Sequence, residues 1–247
     1  MKFKVHPLTY FILFSILICG YFNYFLIVSI ILLFHDLGHL IIMKIYKVKI
    51  IGIEILPFGS IINTSINYNM NSNKLFLISS GGVLMQLLLY IVFYLLYNYG
   101  IISLLSYQIF LTYNKMIILF NILPIIPLDG SKVFLSIIER FWSFKSSIKI
   151  VNIISIVSII VFIFTNTISL NLIFISLFLL FKTYSEIVNH SYIFNKFLLE
   201  RYLYGSNYSK IINVPSIKKI YKNRFNFINN EREDKILAKL FDNNNYF

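Results

Sequence analysis

Charged side chains, cysteine and proline are all scarce in this chain. Only 13% of its 247 residues are charged, whereas 58% are hydrophobic, and the mean hydropathy is +0.76. A soluble domain cannot bury so large a share of apolar side chains, so the composition predicts a polytopic membrane protein. The single cysteine, Cys19, excludes an intramolecular disulfide. The net charge of +12 is spread in a way that reports membrane topology, so no direct nucleic-acid binding is expected.

Long apolar windows predict six transmembrane helices, at about 8–22, 24–43, 75–97, 108–127, 150–165 and 168–185. Six spans place both termini on the same side of the membrane. No lysine or arginine occurs in the three loops expected on the far side, at about 20–24, 98–107 and 165–169. Basic residues fall instead on the side of the termini, with Lys115 as the exception. The positive-inside rule therefore predicts cytoplasmic termini.

The segment 50–66 does not fit a spanning helix. It is rich in β-branched residues and is broken by Pro57 and Gly59, which predicts two short strands around a turn. Such a hairpin could dip into the membrane beside the second span. The expected fold is thus an all-α polytopic membrane protein with six transmembrane helices, a membrane-dipping β-hairpin and a short cytoplasmic tail.

The composition changes near residue 187, which divides the chain into a six-span core, 1–186, and a short basic cytoplasmic tail, 187–247. The tail begins with a plausible helix through 194–204 that ends at Gly205. At about 60 residues the tail is small for an independent core.

The pentapeptide His35-Asp36-Leu37-Gly38-His39 lies inside an apolar run, where ionisable residues are costly and indicate a functional site. Two histidines four residues apart share one face of a helix, which is the spacing of two ligands of one zinc ion. Asp36 stands where a metalloprotease keeps its general base, although glutamate is usual there. The alternative is structural: the histidines form hydrogen bonds between helices, and Asp36 pairs with one of them.

Zinc catalysis needs a third protein ligand and an open fourth position. Asp129, which follows Pro127 and Leu128, is the obvious candidate at membrane depth. An aspartate at this place could instead cap the N-terminus of the next helix. Because the two-histidine helix still lacks an acidic ligand, zinc ligation is the favoured interpretation.

Together these motifs resemble the site-2 protease family of intramembrane zinc metalloproteases. The resemblance rests on the histidine pentapeptide and on Asn121-x-x-Pro124-x-x-Pro127-Leu128-Asp129-Gly130. More narrowly, the chain resembles the sporulation proteases of the stage IV FB type, which mature the mother-cell sigma factor sigma-K. The similarity covers about residues 5–205.

The resemblance implies a zinc cofactor with three protein ligands, namely His35, His39 and Asp129, and a base at Asp36. It also implies a substrate-binding side of the site, formed by Asn121, Pro127, Phe58 and Gly59. The implied partners are a membrane-associated substrate, here a sigma-factor precursor, and small inhibitory membrane proteins. A homo-oligomer stays open. The implied location is the cell membrane, on the mother-cell side of the outer forespore membrane.

Three departures from the family pattern stand out. Asp36 is one methylene shorter than the usual glutamate, so a pseudoprotease that acts as a membrane scaffold is the main alternative to an enzyme. Gly81-Gly82 replaces a Gly-Pro pair and still permits close helix packing. The tail is shorter than the nucleotide-sensing CBS domain typical of the subfamily, so at most a truncated CBS-like region is expected. A metal carrier is the weakest alternative, because the polar residues form no path across the membrane.

Overall fold

A computed structural model describes residues 2–5, 7, 9–10, 18–56, 59–64, 68–167, 169–205, 208 and 210–242. The chain divides into two compact units. The first comprises residues 1–66 and 77–122, and the second comprises residues 67–76 and 123–247. A separate role for residues 187–247 stays a prediction.

The first unit is held together by an apolar core between three helices. These are α1 (Phe22–Ile45), α2 (Ser72–Asn98, from residue 77 onward) and α3 (Leu104–Ile122). Each helix contributes two buried side chains to one cluster: Ile27, Ile31, Leu89, Phe93, Ile109 and Phe110. The rings of Phe93 and Phe110 stack with their centroids 3.7 Å apart. This core fixes α1 against α2, which is the contact on which the candidate site depends.

A three-stranded sheet completes the first unit. Strand β2 (Ile50–Leu56) lies in the middle, pairing in parallel with β1 (Lys2–Val5) and in antiparallel fashion with β3 (Gly59–Thr64). The predicted hairpin in 50–66 is therefore confirmed. Its turn residues Pro57 and Phe58 lie outside the described residues, and its predicted dip into the membrane stays a prediction.

The second unit contains four helices followed by a small sheet. The helices are α4 (Asp129–Ile138), α5 (Phe144–Thr165), α6 (Leu170–Val188) and α7 (His190–Tyr204). Helix α7 ends where predicted, because Gly205 adopts a φ of +68° that glycine tolerates best. Strand β4 (Ile211–Val214), a 3₁₀ turn (Ile217–Lys219), strands β5 (Phe225–Ile228) and β6 (Glu231–Arg232) and helix α8 (Glu233–Asp242) follow.

The part of the tail that follows α7 shares its core with α5 and α7. Buried side chains of α5, of α7 and of the tail form one cluster, namely Phe144, Ile148, Ile193, Phe194, Phe197, Leu198, Val214, Ile220, Ile228 and Leu237. The second sheet, with the order β4-β5-β6, makes the fold mostly helical rather than all-α. Strands of two to four residues leave too weak an alternation for the sequence to reveal them.

Four helices of the described part of the chain, α1, α2, α5 and α6, are long and apolar enough to cross a membrane. They overlap four of the predicted spans, and α3 overlaps a fifth. The predicted window 108–127 is wrong at its end, because α3 stops at Ile122 ahead of Pro124 and Pro127, which a helix interior does not accommodate. The first window, 8–22, lies mostly outside the described residues. The count of six spans stays a prediction.

Candidate metal centre

His35 and His39 form the centre of the candidate site. Both lie on one face of α1, and both are buried, with exposed fractions of 6% and 7%. Their Nε2 atoms are 3.1 Å apart, and their rings meet edge to face. The helical spacing thus brings the two ring nitrogens to one point, as the sequence predicted.

A chain of amide groups fixes the orientation of His35. Asn114 of α3 donates from Nδ2 to the backbone carbonyl of Gln86 at 3.2 Å, so its Oδ1 is the acceptor for Gln86 Nε2, also at 3.2 Å. Gln86 therefore presents Oε1 to His35 Nδ1, at 3.0 Å. Because a carbonyl oxygen only accepts, Nδ1 of His35 carries the proton.

His39 is held in the same tautomer by the backbone. Its Nδ1 donates to the carbonyl oxygen of Ile78 at 2.7 Å. In a neutral imidazole the second nitrogen is then an acceptor, so both Nε2 atoms direct lone pairs to one place. Such an arrangement suits a shared cation, and metal-binding histidines commonly donate their other nitrogen to an oxygen in this way. The donor set fits a metal ion.

Gly82 makes room for the two rings, and Gly81 lets α2 approach α1 closely. A Cβ at Gly82 of α2 would lie 2.6 Å from both His35 Nδ1 and His39 Nε2, so any side chain there would displace the imidazoles. At the preceding residue, a Cβ at Gly81 would lie 2.8 Å from the carbonyl oxygen of Gly38, so the backbones of α1 and α2 lie close together there. The close helix packing expected at Gly81-Gly82 is therefore confirmed.

The remaining predicted residues of the first unit lie at different places. Asp36 follows His35 on α1 and is half-buried. Asn121 lies in the last turn of α3, where its amide donates to the carbonyl of Ile117 at 3.0 Å. Gly59 is the first residue of β3 and pairs with Leu56, whereas Phe58 lies outside the described residues. Their roles toward a substrate stay predictions.

Asp129 and Pro127 belong to the second unit. Asp129 is the first residue of α4 and half-buried, and Leu128 occupies the N-cap position. The alternative that Asp129 caps this helix is therefore not realised, although its charge suits a helix N-terminus. Its Oδ1 lies 3.3 Å from Nζ of Lys132. Pro127 is exposed two residues earlier.

Gln86, Asn114 and the Ile78 carbonyl are site components that the sequence analysis missed. A glutamine and an asparagine in the middle of apolar helices are a usable signal, since polar groups at membrane depth are rare and costly. Both are fully buried. The hydrogen bonds between Asn114 and Gln86 and between Gln86 and His35 join three helices, so the spacing of residues along one helix does not reveal them.

Comparison with known proteins supports the motif-based resemblance. No family model matches the chain. It is 28% identical over 213 residues to stage IV sporulation protein FB of Bacillus subtilis, which covers 84% of this chain and 73% of that protein. It is 30% identical over 167 residues to a zinc metalloprotease of Methanocaldococcus jannaschii, covering 65% of this chain and 48% of that protein.

A solved structure shares the fold. The site-2 protease from Methanocaldococcus jannaschii superposes with a TM-score of 0.54 and 25% sequence identity, covering 74% of this chain and 89% of that chain. Together with the buried histidine pair on an apolar helix, these similarities support the assignment of the chain to the site-2 protease family.

Proposed function

We propose that this protein is a zinc-dependent intramembrane endopeptidase that cuts a membrane-associated protein near the cytoplasmic face. The observation that carries the proposal is the convergence of two buried Nε2 atoms, 3.1 Å apart, in the tautomer that metal binding requires. Similarity to a protein named as a zinc metalloprotease supports zinc as the metal.

The proposed zinc ligands are His35, His39 and Asp129. Two histidines and one carboxylate are a common ligand set of catalytic zinc, which leaves one position for water or substrate. All three side chains are buried or half-buried, as a ligand at membrane depth should be. Bound zinc supplies Lewis-acid chemistry that polarises a carbonyl and makes water nucleophilic near neutral pH.

Asp36 is the proposed general base. Its carboxylate accepts a proton from the attacking water and returns it to the nitrogen of the leaving amine. Aspartate is one methylene shorter than the glutamate usual at this place, and a misplacement of about 1 Å can lower a rate on the order of a hundredfold. Asn121, Pro127, Phe58 and Gly59 are the proposed substrate-facing residues.

The hairpin offers a way to hold an extended substrate. β1 occupies one edge of the central strand β2, and β3 pairs with β2 alone among the described strands. A substrate segment could therefore add to the edge of β3 by backbone hydrogen bonds. Proline at Ile62 should abolish cleavage while zinc stays bound, and Ile62→Val should not; unaffected cleavage by Ile62→Pro would rule out this edge.

The proposed substrate is a sporulation sigma-factor precursor, and small membrane proteins are the proposed inhibitors. Similarity to a protein named for stage IV of sporulation supports this assignment. The distribution of lysine and arginine supports cytoplasmic termini. The proposed location in a sporulating cell is the outer forespore membrane, with the site on its mother-cell side.

A second candidate function is that of a scaffold without protease activity. The observation that favours it is Asp36, because a base held too far from the reacting water would leave a metal site that does not cut. Zinc stoichiometry does not distinguish the two functions, so the test has to measure cleavage.

Co-expression with a sigma-factor precursor that carries a cleavable pro-segment tests the proposal. Immunoblots should show the shortened product with the wild-type chain and none with His35→Ala or Asp129→Asn. Asp36→Asn should lower the rate by about 10²–10⁴-fold, the usual contribution of a general base. Asp234→Asn, a change in an exposed ion pair of the tail, is the matched control and should cleave normally. Absence of product with both the wild-type chain and Asp36→Glu, while zinc is bound, would favour the scaffold.

A further inference from the structure

The second unit contains a partly open cavity of about 180 Å3. This volume is several times the share of about 30 Å3 that one water molecule takes in the liquid, so the cavity has room for a long side chain. Its walls are mostly apolar and come from α4, α5 and α7, including Leu135, Ile148, Val151 and Ile193. The wall also contains two polar side chains, Asn152 and Glu186.

Asn152 lies on α5 and is 6% exposed. Its Oδ1 is buried and has no hydrogen-bond partner in the described part of the chain. A buried acceptor without a donor destabilises the fold, and most such groups in proteins are satisfied. Because Asn152 is a wall residue of the cavity, a donor group that enters the cavity is a candidate partner for its amide oxygen.

Glu186 brings a negative charge to the same cavity. It lies in the last turn of α6, is half-buried and forms no ion pair with any described residue. Lys132 also lines the cavity, but its Nζ lies 3.3 Å from Asp129 Oδ1. Burial and then the nearby carboxylates Glu186 and Glu200 raise the pKa of Tyr68, another wall residue, and Lys196 Nζ lies 5.3 Å from the centroid of its ring. The two carboxylates favour a cation beside them.

We propose that this cavity is a subsite for a lysine or arginine side chain of the substrate. The aliphatic stem packs against the apolar wall, and the cationic nitrogen donates to Asn152 Oδ1 and to the carboxylate of Glu186. Pro127 and Ser131, which lie two residues before and after Asp129, also line the cavity, so a peptide held at the Asp129 segment would reach it. The proposal rests on the proposed function, because its ligand is part of the peptide that the enzyme cuts.

The test uses the full-length chain in lipid nanodiscs and fluorescent apolar host peptides. Each peptide carries one variable residue, which is lysine, glutamine or methionine, and this residue is moved along the peptide. Binding is measured by fluorescence anisotropy and cleavage by gel electrophoresis. At one position lysine should bind about tenfold more tightly than methionine or glutamine.

Variants then assign that preference to the cavity. Glu186→Gln should remove the preference for lysine, and Glu186→Lys should reverse it in favour of glutamate. Asn152→Leu should weaken lysine binding severalfold without lowering the thermal stability, because it removes a buried polar atom that lacks a partner. Glu231→Gln, the same change in an exposed ion pair with Lys239, is the matched control and should keep the wild-type preference.

The binding measurement separates this proposal from the proposed function. A lysine preference that depends on Glu186, without cleavage, would support the subsite and contradict the protease. Equal binding of lysine and methionine peptides at every position would overturn the subsite, whether or not the peptides are cut. Tighter binding of glutamine than lysine, or a preference that survives Glu186→Gln, would overturn it too. So would Glu186-dependent affinity for phosphatidylethanolamine headgroups with no preference among peptides.

Discussion

Each of the two units buries a polar network, but the networks differ in kind. In the first unit the network consists of amide and imidazole groups from Asn114 through Gln86 to His35, and of His39 on a backbone carbonyl. It lies among the apolar side chains of helices. It includes two ring nitrogens, His35 Nε2 and His39 Nε2, that lie 3.1 Å apart.

In the second unit the buried network is ionic and closed. Arg201 pairs with Glu233 at 3.0 Å, with exposed fractions of 1% and 2%. Lys222 pairs with Glu139 at 3.0 Å, and Ser72 Oγ donates to the same carboxylate at 2.6 Å. Each charge in this network meets an opposite charge and further hydrogen bonds, so nothing in it is left to act on a ligand.

The comparison teaches how to tell a site from a structural network. A closed set of ion pairs holds the part of the tail after α7 to α7 and to the end of α4. Removal of these ion pairs should affect stability. A set of amide and carbonyl oxygens orients the two imidazoles, and its removal should affect metal binding. The two kinds of effect can be separated experimentally, because zinc affinity and unfolding are measured independently.

The largest effect is expected from Gly82→Val. A side chain at this position would occupy the space of both imidazoles, so bound zinc should fall from about one ion per chain to none detected by atomic absorption. Leu88→Val, an exposed position of the same helix, is the control and should bind zinc normally. Normal zinc content in Gly82→Val would contradict the assignment of the histidine pair as ligands.

The ionic network should respond in the opposite way. Arg201→Met leaves Glu233 buried without its cation, so the free energy of unfolding should fall by about 3–5 kcal/mol, measured by denaturant titration in detergent. Arg232→Met, in an exposed pair with Asp234, should cost about 0–1 kcal/mol. Folded Arg201→Met should keep its zinc. Loss of zinc without loss of stability would break the distinction between the networks.

A smaller effect is expected from Gln86→Leu. This change removes the acceptor of His35 Nδ1 and the donor to Asn114, so the imidazole loses its fixed orientation. Zinc affinity should fall by about 10–100-fold, as for other outer partners of metal ligands, in a chelator competition assay. The rate at which a protease cleaves the tail, which reports on its unfolding, should not change. An unchanged zinc affinity would show that the amide chain is structural only.

The sequence predicted the elements of the first unit's network but not its connections. The spacing of His35 and His39 predicted a shared face, and the β-branched run broken by Pro57 and Gly59 predicted the hairpin. A helix that is apolar on every side has no polar face that would indicate which side packs against its neighbour. The contact of Gln86 with His35 was therefore not predictable.

The ionic network was less predictable still. Glu139 and Lys222 are 83 residues apart, and nothing along the chain distinguishes a buried ion pair from two solvated charges. The basic residues of the tail were interpreted as a cytoplasmic surface, whereas Arg201 and Lys222 are core residues of the second unit. Their burial depends on the small sheet β4-β5-β6, whose strands are too short to be recognised from periodicity.

The smallest expected effect concerns a carboxylate at the edge of the ionic network. Glu200 of α7 is 7% exposed, and burial raises its pKa, while hydrogen bonds from the backbone of Asn69 and Tyr68 partly oppose the shift. A raised pKa means that the folded chain holds this proton more tightly than the unfolded chain, whose glutamate titrates near about 4.3. Stability should therefore be lost as the pH rises through the folded pKa.

Glu200→Gln should flatten this pH dependence, so that the variant gains stability over wild type between acidic and neutral pH. Glu231 gives the opposite control, because its hydrogen bond with Lys239 lowers its pKa and its contribution is lost as the pH falls. Apparent melting temperatures in detergent between pH 4.5 and 8 measure both slopes. If the melting temperatures of Glu200→Gln and wild type change in parallel with pH, burial of the Glu200 charge carries no penalty. Its charge would then be compensated in the fold, as the charges of Glu233 and Glu139 are by Arg201 and Lys222.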